Sequence, residues 1–142
     1  MPTKLNPYIN YRGTAREAME FYHSVFGGEL EVNTFRDFGI SDWPDQLDNV
    51  MHSQLTGPNG LILMGADVPE TMEVSFGDNV SISLSGEDEE GMTGWFEKLS
   101  EGGSMITPLG KAPWGDTYGQ FVDRFGVKWL MNIAGSGQPT TP

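Results

Sequence analysis

Few side chains in this sequence could do chemistry. It holds two histidines and no cysteine. His52 sits in a strand-like run, VMHSQL; His23 lies beside the apolar stripe of a helix and is expected at the surface or partly packed. Histidine is the side chain that ordinarily titrates near neutrality, so His52 is the candidate catalytic group, acting as acid or base. Asp67 or Asp116 could join it, either orienting the imidazole or sharing a metal ion, and Tyr118 could donate a proton. A lone strand histidine is more often a hydrogen-bonded wall residue than a ligand. No set of nucleophile, base and orienting group follows from spacing alone. The lack of cysteine excludes disulfides, thiolate zinc sites and thiol nucleophiles. No Gly-rich loop joins a strand to a helix, so no nucleotide-like cofactor is expected, and none of another kind.

The stretch WGDTYGQFVDRFGVKW, residues 114–129, looks like a place where something is held. Trp114 offers stacking area and one N–H donor. Asp116 either caps backbone N–H groups in a turn or takes part in binding. Asp-Arg-Phe-Gly reads as a hairpin turn. A second segment, RDFGISDWPDQLDN at 36–49, is long, acidic and turn-rich. Loops of this kind serve as lids, dimer contacts or plain surface, and its Trp43 is costly to expose unless it covers something.

The elements that must position these groups occur twice. NPYINYRGTAREAMEFYHSVFGGELEV (from residue 6) and NVSISLSGEDEEGMTGWFEKLSEGGSMIT (from residue 79) each give a short strand, then a helix, then a Gly-Gly stop. The Gly pairs are Gly27-Gly28 and Gly102-Gly103; glycine ends helices because it accepts left-handed backbone cheaply. Ala18, Phe21, Tyr22, Val25 and Phe26 form one buried helical stripe, and Met92, Trp95, Phe96 and Leu99 form its counterpart. Thr14 and Glu17 fit a capping box; residues 87–90 put acid at the start of the second helix, where the macrodipole favours it. VMHSQLTGPNGLILM (50–64) matches DTYGQFVDRFGVKWL (116–130), so that Gln54 meets Gln120, Gly60 meets Gly126 and Leu63 meets Trp129. Strands are expected at 5–11, 29–36, 49–56 and 60–66, then at 79–85, 104–110, 116–123 and 126–133.

One domain is expected over 1–134: module one at 5–66, a linker at 67–78, module two at 79–134, and a flexible tail at 135–142. The formal net charge of -12 argues against nucleic acid and against anionic membrane surfaces, since like charges repel. It also disfavours anionic ligands, although Arg12 and Arg36 could form a local cationic pair. With no apolar leader and no run of transmembrane length, a cytoplasmic protein is expected.

A doubled βαβββ unit with the motifs PYINYRGTAREAMEFYHSVFGGELE, VMHSQL, LILMGAD and WGDTYGQFVDRFGVKWLMN resembles the vicinal oxygen chelate superfamily. That group includes glyoxalase I, extradiol dioxygenases and the fosfomycin and bleomycin resistance proteins. The closer resemblance is to its PhnB-like branch, sometimes labelled demethylubiquinone methyltransferase-like. The resemblance implies an α+β fold of two tandem βαβββ modules, with curled mixed sheets around a shared cavity and helices on the convex side. It also implies a homodimer. It leaves the chemistry open, because the superfamily isomerises, oxygenates, opens rings or only sequesters.

Metal-dependent members carry His, Glu or Gln on the opening and last strands of each module. The opening strands here, NPYINYRG and NVSISLSG, contain no His, Asp or Glu, and the last-strand positions are Met64 and Leu130. Neither suits a hard divalent ion, so no family-type metal is expected. Strand alternation places Met51, Ser53, Leu55, Thr117, Gly119 and Phe121 toward the helices. It places Val50, His52 and Gln54, with Asp116, Tyr118 and Gln120, on the opposite face. Tyr8 or Asn10 joins that face; Met64 and Leu130 line its floor, and Trp114 lies at its entrance. These residues form the expected ligand site, with apolar walls and a few placed polar groups. The expected function is metal-independent binding of a small, partly aromatic molecule by a homodimer. The alternative is an enzyme of the superfamily, of lyase, isomerase or dioxygenase type, metal-dependent or using His52.

Overall fold

The computed structural model describes residues 3–69, 71–75 and 77–135. The chain divides into two compact units between residues 75 and 76, inside the expected linker.

Unit one runs β1 (Tyr8–Tyr11), α1 (Ala15–Phe26), β2 (Glu29–Thr34), β3 (Val50–Thr56) and β4 (Ile62–Asp67). Its sheet has the order β1-β4-β3-β2, with β1 parallel to β4 and the other pairs antiparallel. Unit two repeats this with β5 (Ile82–Gly86), α2 (Glu89–Ser100), β6 (Ser104–Lys111), β7 (Thr117–Val122) and β8 (Lys128–Ile133), in the order β5-β8-β7-β6. Each unit is thus a βαβββ module with a mixed four-stranded sheet, and the expected strands fall within three residues of these bounds.

The cores follow the helical stripes. Ala18, Tyr22, Val25 and Phe26 are buried under α1, joined by Ala15 and Met19; Met92, Phe96 and Leu99 are buried under α2. Phe21 and Trp95 are only half-buried. His23 is half-buried on the last turn of α1, its Nε2 3.0 Å from the Gly28 carbonyl oxygen.

The first helix is not started by a capping box. Thr14 takes the N-cap position but its side chain makes no capping bond. Asp67 at the end of β4 does that work instead: its Oδ1 accepts from the N–H groups of Gly13 (2.8 Å) and Ala15 (3.0 Å), and its Oδ2 accepts from Val50 N–H (2.9 Å). In the second module the local cap holds, with Asp88 Oδ1 accepting from Gly91 N–H at 3.1 Å.

Both helices stop at their glycine pairs. Gly27 (φ 74°) and Gly102 (φ 80°) take the left-handed backbone. Gly28 also has a positive φ (85°), and the second glycine of each pair has a further reason to lack a side chain. A Cβ on Gly28 would overlap the Thr56 carbonyl oxygen, and one on Gly103 would overlap the Val122 carbonyl oxygen. The hairpin pressing on the helix stop is therefore repeated along with the motif.

Candidate functional site: the open face of each sheet

With the helices on one side, alternation leaves each sheet a second, open face. Strand register across the first sheet aligns Tyr8, Met64, Gln54 and Glu31 in one row, and pairs Asn10 with Ala66 and His52 with Asn33 beside it. The second sheet aligns Ser83, Leu130, Gln120 and Thr107, with Ser85, Asn132, Tyr118 and Gly110 as the neighbouring row. Gln54 and Gln120 thus hold equivalent places, each flanked by an apolar residue, Met64 or Leu130. All four are half-buried, while the alternating Ser53, Leu55, Gly119 and Phe121 are buried on the helix side.

Aromatic side chains frame both rows. The Tyr8 and His52 rings lie 6.3 Å apart, and Tyr8 is 46% exposed. Trp114 stands edge-on to Tyr118 at 5.6 Å and is 40% exposed. Its indole Nε1–H donates to Asn132 Oδ1 at 3.1 Å, and the Asn132 amide in turn donates from Nδ2 to Asp116 Oδ2 at 2.9 Å.

Two alternation assignments and one candidate ligand are corrected. The ladder between β2 and β3 shifts so that Asn33 pairs with His52 but Thr34 pairs with Val50. Met51 is the extra residue of this bulge, and a bulge reverses facing beyond it. Val50 is therefore fully buried, and Met51 lines a pocket with Tyr8 and Asn10. Asp116 does not point from a strand into the open face. It precedes β7, is fully buried, and accepts from Gly135 N–H at 2.8 Å as well as from Asn132. Gly135, the start of the expected tail, is held by that bond; the rest of the tail lies outside the described residues.

Asp67 and Asp123 are also occupied. Asp67 is committed to three backbone N–H groups, so it does not partner His52. Asp123 builds the Asp-Arg-Phe-Gly turn: Oδ1 accepts from Phe125 and Val127 N–H at 2.8 and 3.1 Å, and Oδ2 accepts from Trp129 Nε1–H at 2.8 Å. Among the described residues no three His, Asp or Glu side chains gather as a metal site. The thioether of Met64 and the alkyl chain of Leu130 stand where the resemblance would put hard-ion donors, so the residues present do not fit that metal.

Asn132, Ser83, Ser85, Glu31 and Asn33 belong to the open faces and were not anticipated. Asn132 could have been found by counting two residues on from Leu130.

In module one, the loop after β2 roofs part of the face. Phe35 N–H donates to Asn49 O (3.2 Å) and Arg36 N–H to Leu47 O (2.9 Å), closing its neck. Arg36 Nε donates to Asp48 Oδ1 at 3.0 Å in an exposed ion pair. Trp43 turns back edge-on to Phe35 at 5.5 Å.

Two βαβββ modules with open polar-aromatic faces define the class. The chain belongs to the glyoxalase/bleomycin resistance protein/dioxygenase superfamily, whose family model matches residues 4–131. Among solved structures it is similar to protein PA1353 from Pseudomonas aeruginosa: 34% identity, TM-score 0.80, 95% of this chain and 100% of that one. It is also similar to the PhnB protein from Bacillus cereus: 27% identity, TM-score 0.76, covering 93% and 100%. Protein YjdN of Escherichia coli K12 is 24% identical over 96% of this chain and 98% of its own length. Among the described residues no helix is long and apolar enough to cross a membrane.

Proposed function

We propose that this protein binds a small, partly aromatic organic molecule on the open faces of its modules, without a metal ion, as a cytoplasmic homodimer. The observation that carries this is the repeated row: Tyr8, Met64 and Gln54 in one module, Ser83, Leu130 and Gln120 in the other. A neutral amide beside an apolar floor and a tilted aromatic ring suits recognition of a ring bearing a polar substituent. The absence of hard donors at Met64 and Leu130 supports binding by stacking and hydrogen bonding rather than by ligation. Exposed Tyr8, Met105, Ile106 and Trp114 give a second copy of the chain apolar surface to cover.

One observation favours a second reading. His52 beside Tyr8 on an open face could serve as an acid–base pair in an enzyme of the superfamily. Replacing His52 by Ala separates the two. In a binder, affinity falls by about 1–3 kcal/mol where a polar partner loses its mate, and no turnover exists to lose. In a catalyst, turnover disappears and binding survives. The metal question is settled by plasma mass spectrometry of the purified protein before and after dialysis against manganese, nickel, zinc and ferrous ions. No retained ion is expected; one tightly held ion per subunit overturns the metal-independent reading. Sedimentation equilibrium tests the dimer, and a monomer at micromolar concentration removes it.

A further inference from the structure

Module one contains a pocket of about 290 Å3 that the rows above only border. Its floor is Tyr8, Asn10 and Met51 from the sheet; its roof is Phe35, Ile40 and Trp43 from the loop over the face. We infer that this pocket is a binding site for a neutral, one- or two-ring aromatic molecule carrying a single hydrogen-bonding substituent. The inference rests on the proposed binding function and assigns it a place and a ligand class.

Size comes first. Small-molecule pockets run from about 300 to 1,000 Å3, so this one is at the lower end and suits one or two fused rings. Shape and softness come next. The rings of Trp43 and Phe35 stand at 64° to each other, so a flat ring can meet the face of one and the edge of the other, with Tyr8 beside it, and the thioethers of Met51 and Met72 adapt to its outline.

Charge is decided by the lining. Among the described residues its lining contains no Lys or Arg, and the one carboxylate there, Asp67, is spent on the N–H groups of Gly13, Ala15 and Val50. A charged ligand would leave water and find no free counter-charge, which is expensive. The polar groups left for the ligand are the Asn10 amide and the Tyr8 hydroxyl. Neither makes a hydrogen bond to the protein among the described residues.

The roof is built rather than draped. Besides the neck bonds at Phe35 and Arg36, Thr34 N–H donates to Asp37 Oδ2 (2.9 Å), Asp37 N–H donates back to Thr34 Oγ1 (3.1 Å), and Gln46 N–H donates to Trp43 O (2.9 Å). Trp43 is thereby held over the pocket before any ligand arrives, which lowers the ordering cost of binding. The bulge that turns Met51 toward this side completes the floor.

The test is a titration of the full-length 15N-labelled protein with indole and p-cresol, followed by amide chemical shifts. Benzoate and benzylamine serve as charged controls. Saturable shifts at Tyr8, Asn10, Phe35, Trp43 and Val68 are expected with the neutral probes. Filling the pocket with Met51→Trp should weaken indole by about tenfold or more, equivalent to 1.4 kcal/mol. Trp43→Ala, which removes a half-buried loop side chain outside both sheets, should do the same, and it keeps the test valid if Met51→Trp fails to fold. Lys98→Ala, exposed on α2 of the other module, should leave the affinity unchanged. If indole binds but only Gln120→Ala weakens it, the pocket is overturned while the broader binding function stands. Tighter binding of benzoate or benzylamine than of indole overturns the neutral class. No saturable shift with any probe overturns the pocket outright.

Discussion

The indole N–H of Trp114 donates to Asn132 Oδ1 at 3.1 Å, across 18 residues of sequence. Asn132 is fully buried, and its own amide is fixed by Asp116. A large ring at the rim of module two is therefore aimed through Asn132 by a buried carboxylate. Asp116 acts on the candidate site through Asn132 while also bonding Gly135 N–H. The capping role weighed for it in the sequence is visible in the bond from Gly135 N–H, and its link to the rim ring runs through Asn132.

Removing that carboxylate should be felt at both ends. Asp116→Ala strands the Asn132 amide and Gly135 N–H and should destabilise the protein by about 1–3 kcal/mol, measured by urea denaturation. The Trp114 indole proton should lose its protection against solvent exchange in the same variant. If that proton stays protected, Asn132 holds its orientation without Asp116.

The start of α1 depends on a residue 52 positions away. Asp67→Ala should cost about 2–4 kcal/mol, because three buried or part-buried N–H groups lose their acceptor. Thr14→Ala, at the N-cap itself, should change stability by no more than about 0.5 kcal/mol. Equal losses for the two would return the capping role to Thr14.

In both modules the second glycine of the pair is the one whose side chain would meet backbone, and Gly28 carries a positive φ (85°) besides. Gly28→Ala and Gly103→Ala each drive a methyl group into a carbonyl oxygen of the facing hairpin. Each should cost at least about 2 kcal/mol in thermal unfolding. Gly27→Ala meets nothing within 4 Å and pays only for its backbone (φ 74°, ψ -157°), a region nearly confined to glycine, about 1–3 kcal/mol. A larger loss at Gly27 than at Gly28 would contradict the close-approach argument.

Gly119 lies where Phe96 packs on the second sheet. A Cβ there would sit 2.7 Å from Phe96 Cε2, so Gly119→Ala should destabilise by about 1–3 kcal/mol through overpacking. Phe96→Leu in the same chain should recover part of that loss. A double-mutant cycle with no coupling energy would show that the strain is relieved elsewhere.

Most of the architecture could be read from local pattern. The stripes through Tyr22 and Phe96, the Gly-Gly stops and the matched hairpins each need only neighbours within one turn or one strand. Alternation then placed His52, Gln54, Tyr118 and Gln120 correctly on the open faces. It failed at Val50 and Met51 because a bulge is a property of two paired strands, and nothing in VMHS marks the extra residue. The partners of the aspartates were out of reach for a related reason, although capping of backbone N–H groups was one of the two readings of Asp116 and Gly135 N–H supplies such a bond. Asp67, Asp116 and Asp123 are exposed-looking acids in the sequence, yet each is buried against N–H groups that only the folded topology brings to it. Asp123 was the most accessible of the three, since its partners are two to six residues away.

The bond from Asp67 to the start of α1 also imposes an order on synthesis. The ribosome delivers β1 and α1 first, but the acceptor for Gly13 and Ala15 is the last residue of β4. Until residue 67 emerges, the helix has no cap and β1 has no parallel neighbour, so the first module stays open at one edge. Its closing strand and its helix cap arrive together, on one residue. A nascent chain halted before that point should remain easy prey for protease, and one halted some tens of residues later should resist it.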